Sequence, residues 1–129
     1  MIVDSSALLA ILIGEPEREQ FIELIAHAED VAIAAPTVLE ATIALSRLDA
    51  GMARDLERFI AEADIAVVPF GAEHLAFANE AHRRFGRNSG SPARLNYGDC
   101  ISYAVAKCAN EPLLFKGNDF SQTDIRPAL

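Results

Sequence analysis

The sequence is poor in cysteine, in basic residues and in long apolar runs, and each shortage closes off a class of protein. The two cysteines, Cys100 and Cys108, fall in one expected helix. Eight residues at a helical rise of about 1.5 Å put them about 12 Å apart along the axis. That is too far for a disulfide, and two cysteines without matching histidines make no zinc site. They read as small buried hydrophobes in a reducing compartment, the cytoplasm. No apolar run reaches the roughly 18 residues of a membrane span. Met1–Gly14 is apolar, but Asp4 interrupts it and no basic stretch precedes it, so it does not read as a signal peptide. With 11 basic residues against 19 acidic ones, the chain carries −8, which argues against a general nucleic-acid coat. At 23% charged and 51% hydrophobic it is not a disordered protein. Its 129 residues make one domain, 1–129, with a sizeable core.

Along the chain, short apolar strands alternate with amphipathic helices. Strands are expected at Met1–Val3, Val31–Ala34, Ile65–Pro69 and Leu113–Phe115, with a short fifth at Asp124–Ile125. Helices are expected at Ala7–Ile13, Glu15–Ala28, Pro36–Ala50, Met52–Ala63, Gly71–Phe85 and Gly98–Ala109. The clearest loop is the stretch around Gly86, Asn88, Ser89, Gly90, Ser91 and Pro92. This alternation implies an α/β fold with a mainly parallel sheet of four to five strands flanked by helices. In such sheets sites gather beyond the carboxyl ends of the strands, where Asp4 and Lys116–Asp119 would lie.

Most of the acids sit in charge-rich helices and are ordinary solvated faces. Three stand alone: Asp4 within Met1–Gly14, Glu40 within Val31–Ser46, and Asp99 within Leu95–Ala106. Each segment is apolar enough to be mostly core, and an unpaired carboxylate leaving water costs several kcal/mol. Plain readings exist. Asp4 can cap the helix that follows it, Asp99 can answer the dipole of its helix, and Glu40 can pair with Arg47 two turns on. Together, however, three isolated acids on three elements resemble a cluster for a hard cation such as magnesium or manganese. Asp119, with the neutral oxygen donor Asn118, is a fourth candidate.

Four segments then resemble, in order, the motifs of the PIN-domain family, and specifically its VapC-type toxin ribonucleases. They are Ile2–Leu12 with Asp4, Pro36–Ala44 with Glu40, Leu95–Ala106 with Asp99, and Leu113–Ile125 with Asp119. In the fourth, Asn118 occupies a position where relatives often carry Asp, so the family's fourth acid is either absent or supplied by Asp119. Ser6 matches a hydroxyl that orients the acids, though it could equally be a helix cap.

The resemblance implies a PIN-like nuclease domain cutting RNA with Mg²⁺, or Mn²⁺, as cofactor. Asp4 and Asp99 would be its main ligands, and Glu40 would ligate directly or through water. It also implies a cognate antitoxin and a homodimer as partners. The apolar helix faces Phe21–Ala28 and Leu56–Ala63 could supply an interface or simply be core. His82–Tyr97 holds Arg83, Arg84, Arg87 and Arg94 and no acid. With Lys116, these are the candidates for phosphate contacts that position RNA. Base stacking has little support, with only Phe85 and Tyr97 nearby. Competing readings are a nuclease acting on DNA, a catalytically weak binding module of the same fold, and a phosphoacceptor receiver domain. The last usually has adjacent acids after its first strand, where this chain has Ser5 and Ser6.

Overall fold

A computed structural model describes residues 1–129. Its centre is a four-stranded, all-parallel sheet in the order β3-β2-β1-β4. The strands are β1 (Ile2–Val3), β2 (Ala32–Ala34), β3 (Ala66–Val68) and β4 (Leu113–Leu114). The chain's first strand therefore lies inside the sheet, between β2 and the late strand β4. Strands buried on both faces read as continuous apolar runs rather than alternating ones, as β1, β2 and β4 do; β3, at the sheet edge, is apolar but largely exposed, with Val67 50% exposed.

Six helices cover the sheet: α1 (Ser5–Ile13), α2 (Arg18–His27), α3 (Ala35–Leu48), α4 (Met52–Glu62), α5 (Ala72–Phe85) and α6 (Tyr97–Ala109). Successive strand residues point to opposite faces. Val3, Ile33 and Leu114 join the core beneath α1 to α4, with Leu8, Phe21, Leu45 and Leu56. Ile2, Ala34 and Leu113 join the second core, where Leu95, Ile101, Tyr103 and Val105 pack. The apolar faces of α2 and α4 are thus largely spent inside the molecule: Phe21, Ile25 and Leu56 are buried.

Helix ends follow local chemistry. Asp4 caps α1, its carboxylate accepting from the Ser6 N–H, and Gly14 ends that helix at φ +80°, a conformation glycine adopts without penalty. A proline in the first turn of α3 costs no hydrogen bond there. Asn96 and Asp99 cap α6 reciprocally, each side chain bonding the other's backbone N–H, at 2.9 and 2.8 Å.

Three expectations need correction. Asp124–Ile125 is not a strand. Asp124 is instead gripped by the Tyr103 hydroxyl, Lys107 and Arg84, and only Pro127 bridges the sheet, opposite Leu113. Of the cysteines, Cys100 is buried but Cys108 is exposed, on the last turn of α6. The Glu40 segment is not mostly core. Only Thr37, Ala41 and Leu45 of α3 are buried, while Leu39, Ile43 and Leu48 face outward.

Candidate active site

The end of β1, the second turn of α3, the first turn of α6 and the turn after β4 bring the four acids to one rim of the sheet. Asp4 directly follows β1 and is only 4% exposed. Its Oδ2 accepts from the Ser6 backbone N–H at 3.0 Å and the Ser6 hydroxyl at 2.5 Å, and its Oδ1 from the Ser102 hydroxyl at 2.6 Å. An ionised carboxylate offers about four lone-pair positions, so three fixed donors leave room for one more partner. Ser6 is at the same time an acceptor, for the Lys116 N–H at 3.0 Å. That hydroxyl therefore ties the end of β4 to the carboxylate at the end of β1.

Asp99 lies in the first turn of α6. Burial pushes its carboxyl up to about 6, and the charges of Asp4, Asp119 and Glu40 push the same way against the bond from Asn96. Glu40 is raised too, first by burial and then by the charge of Asp4, with the Ser5 side chain opposing. It makes no ion pair with Arg47. Its carboxylate instead lies against Gly98: a β-carbon there would stand 2.7 Å from Oε2 and nearer still to Oε1. Asp119 is exposed and enters the cluster through its charge on Asp99. Asn118 is exposed, and its backbone carbonyl accepts from Ser121.

Ser102 was not singled out in the sequence. It lies three residues after Asp99, on the same face of α6, as a lone serine among Ile101, Tyr103 and Ala104. At 1% exposure it needs a polar partner, and Asp4 is that partner.

No three side chains stand around one point as a ready-made ion site. The donor set nonetheless fits a hard cation held by one or two carboxylates and water, the usual manner for magnesium. All the donors are oxygens, and the like charges that raise Asp99 are what a cation would relieve.

The candidate cations divide in two. Arg84 pairs with Glu80 at 3.0 Å and Asp124 at 3.3 Å and lies over the Phe85 ring. Lys116 is paired with Glu15 and, at 3.2 Å, Glu17, which raise its ammonium pKa. Arg83, Arg87 and Arg94 are exposed and form no ion pair.

The fold and this acid-lined rim define a PIN-domain protein. The family model described as "PIN domain" matches residues 1–126, and the chain belongs to that family. Ribonuclease VapC28 of Mycobacterium tuberculosis is 43% identical over 130 residues, spanning 100% of this chain and 98% of that protein. Among solved structures, M. tuberculosis VapC20, described as a sarcin-ricin loop cleaving toxin, superposes with TM-score 0.74 at 20% identity over 98% of both chains. A toxin–antitoxin complex from Klebsiella pneumoniae superposes with TM-score 0.71 at 16% identity, over 95% of this chain and 92% of that one. Membership of this family sets aside the receiver-domain reading. No helix is long and apolar enough to cross a membrane.

The contact between Glu40 and Gly98 yields a prediction. Gly98→Ala forces the flexible Glu40 carboxylate to move rather than the backbone. Nuclease activity is expected to fall on the order of a hundredfold, the scale of a displaced catalytic group. The melting temperature should hold or rise, since alanine favours helix over glycine. Cleavage assays and thermal melts on the same sample check this, and unchanged activity would remove Glu40 from the site.

Proposed function

We propose that this chain is a metal-dependent endoribonuclease, the toxin of a toxin–antitoxin pair acting in the cytoplasm. The reading is carried by 43% identity to a ribonuclease over essentially the whole of both chains, in a fold that collects Asp4, Glu40, Asp99 and Asp119 at one rim. Asp4 and Asp99 would hold Mg²⁺ or Mn²⁺, with Glu40 ligating directly or through water and Asp119 adding charge. A cation bound there supplies a more acidic water and offsets charge on the attacked phosphate. The chain's own part is positional. Ser6 and Ser102 fix the rotation of the Asp4 carboxylate, Asn96 fixes Asp99, and Gly98 leaves space for Glu40. The unpaired Arg83, Arg87 and Arg94 would meet RNA phosphates and offset the repulsion from a chain of net −8.

Two partners belong to this reading. An antitoxin is supported by the likeness to the Klebsiella complex, and an arginine it inserted among the acids would be well paired. A second copy is supported by Leu39, Ile43 and Leu48 on α3, which are 60%, 46% and 63% exposed. Apolar side chains gathered in this way mark an interface more often than bare surface.

The test is cleavage of structured and unstructured RNA by purified, antitoxin-free protein in Mg²⁺ or Mn²⁺, with EDTA and Asp99→Asn controls. Cleavage abolished by both controls is expected. Cleavage that persists in either would overturn the carboxylate mechanism, and cutting of DNA but not RNA would replace the substrate.

A further inference from the structure

Beside the acidic rim lies a cavity of about 540 Å³, between α5, α6 and the loop joining them. That size is within the range of small-molecule sites. Asn96 and Cys100 line it, and they flank Asp99 on either side in the sequence. Asn96 also bonds Asp99 through both its backbone N–H and its side chain. The cavity wall and the acidic cluster therefore share a residue.

Its chemistry is opposite to that of the cluster. Not one acid lines it, although the chain has 19. The wall offers an 84% exposed tyrosine, Tyr97, and the apolar side chains of Phe70 and Leu75. Asn79 and Asn88 contribute amides with no hydrogen bond to the rest of the chain, and Arg87 contributes a guanidinium with no ion pair. An amide presents both donor and acceptor, the pattern needed at the edge of a nucleobase. Aromatic and guanidinium planes are what unstacked RNA bases stack upon.

The loop carrying Arg87 and Asn88 is held in shape. The Ser89 hydroxyl donates to the Gly86 carbonyl at 2.7 Å and accepts from the Ser91 N–H, and the Ser91 hydroxyl accepts from the Ala93 N–H. Ala93 and Leu95 anchor the loop in the core, and the Leu95 N–H closes it onto the Phe85 carbonyl at 2.8 Å.

We propose that this cavity is a nucleobase subsite: it takes an unstacked base next to the scissile phosphate, stacked on Tyr97, with Arg87 on the adjoining phosphate. The inference rests on the nuclease reading for its role, though not for its binding chemistry. It makes the α5–α6 loop a determinant of where RNA is cut.

The test uses short single-stranded RNAs carrying 2-aminopurine at successive positions, mixed with the full chain in Ca²⁺ or EDTA. One position is expected to lose fluorescence on binding. Tyr97→Ala should abolish that quench and weaken binding about tenfold, the scale of one stacked base, while Tyr97→Phe retains both. Arg87→Ala should weaken binding and flatten its salt dependence. Melting temperatures should hold, because both side chains are exposed. In Mg²⁺, Tyr97→Ala should raise KM and blur the choice of cleavage position more than it lowers kcat. The proposal is overturned if Tyr97→Ala binds and cuts RNA as the wild type does. It is equally overturned if that variant loses only a protein partner, which would make the face a protein interface. Quenching by a protein that cuts no RNA in Mg²⁺ would keep the subsite and sink the nuclease reading. Cleavage without quenching at any position would do the reverse.

Discussion

Asp4→Asn is expected to abolish RNA cleavage, by at least about a hundredfold, the loss seen when a preorganised electrostatic group is removed from an active site. Asparagine keeps the shape and one acceptor oxygen, and its amide can donate to a serine hydroxyl that rotates to accept. The fold should therefore survive with little change in melting temperature. Asp4→Ala separates the two roles of this residue. It removes the cap of α1 and strands the Ser102 hydroxyl, which is 1% exposed. A lost cap costs about 1 kcal/mol and an unsatisfied buried hydroxyl about 1–3 kcal/mol, so about 2–4 kcal/mol of stability should go with the activity. Denaturant unfolding of the two variants beside cleavage assays reads both quantities. An active Asp4→Asn would mean that the conserved shape, not the charge, is what the site uses, and the cation-binding account would fail.

Asp99→Asn is expected to stabilise the metal-free protein at neutral pH while ending its activity. The folded carboxyl sits at about 6 against an ordinary 3.8. The folded state thus holds its proton more tightly than the unfolded one, and stability falls as pH rises from about 4 to about 6. Below that window both states are protonated and nothing is lost; above it the full penalty applies. The group is partly exposed, so solvent screening reduces the penalty to about 1 kcal/mol, or about 4 °C in melting temperature for a domain of this size. Asparagine escapes the penalty and still offers an oxygen to the Asn96 N–H. In EDTA the variant should melt above the wild type at pH 7 and level with it at pH 4. Added Mg²⁺ should raise the wild type only, through binding to the folded state. A variant that is no more stable at pH 7 in EDTA would show that burial and the neighbouring acids do not penalise the ionised Asp99 carboxyl as described.

The element order was legible because both-face burial turns β1, β2 and β4 into short apolar runs, β3 is apolar although exposed, and capping residues mark the helices. Boundaries were less so: α2 begins at Arg18 rather than Glu15, because Pro16 and Glu17 belong to the turn before it. The three lone acids stood out against apolar neighbours, and the structure brings them to one rim. The argument that singled out Glu40 was nevertheless flawed, since Leu39, Ile43 and Leu48 of α3 are apolar yet exposed. Sequence cannot distinguish an apolar face that meets the core from one left for another surface. Ser102 escaped notice because a single serine in an apolar helix has no pattern, and its meaning comes from a residue 98 positions away. The ties of Arg84 to Asp124 and of Lys116 to Glu15 and Glu17 were invisible for the same reason, their partners lying far away in the sequence.

That long separation bears on the order in which the molecule can become active. Asp4 is synthesised long before its distant partners, and β1 lies inside the sheet, so its flank on the β4 side stays bare until Leu113–Leu114 emerge. The donors that set its carboxylate, Ser102 and the Ser6–Lys116 tie, are complete only after residue 116. A chain still on the ribosome, or one broken off before α6, carries Asp4 and Glu40 but neither Asp99 nor the Ser102 donor. The arrangement leaves the Asp4 carboxylate without its full set of donors until both α6 and β4 have been made.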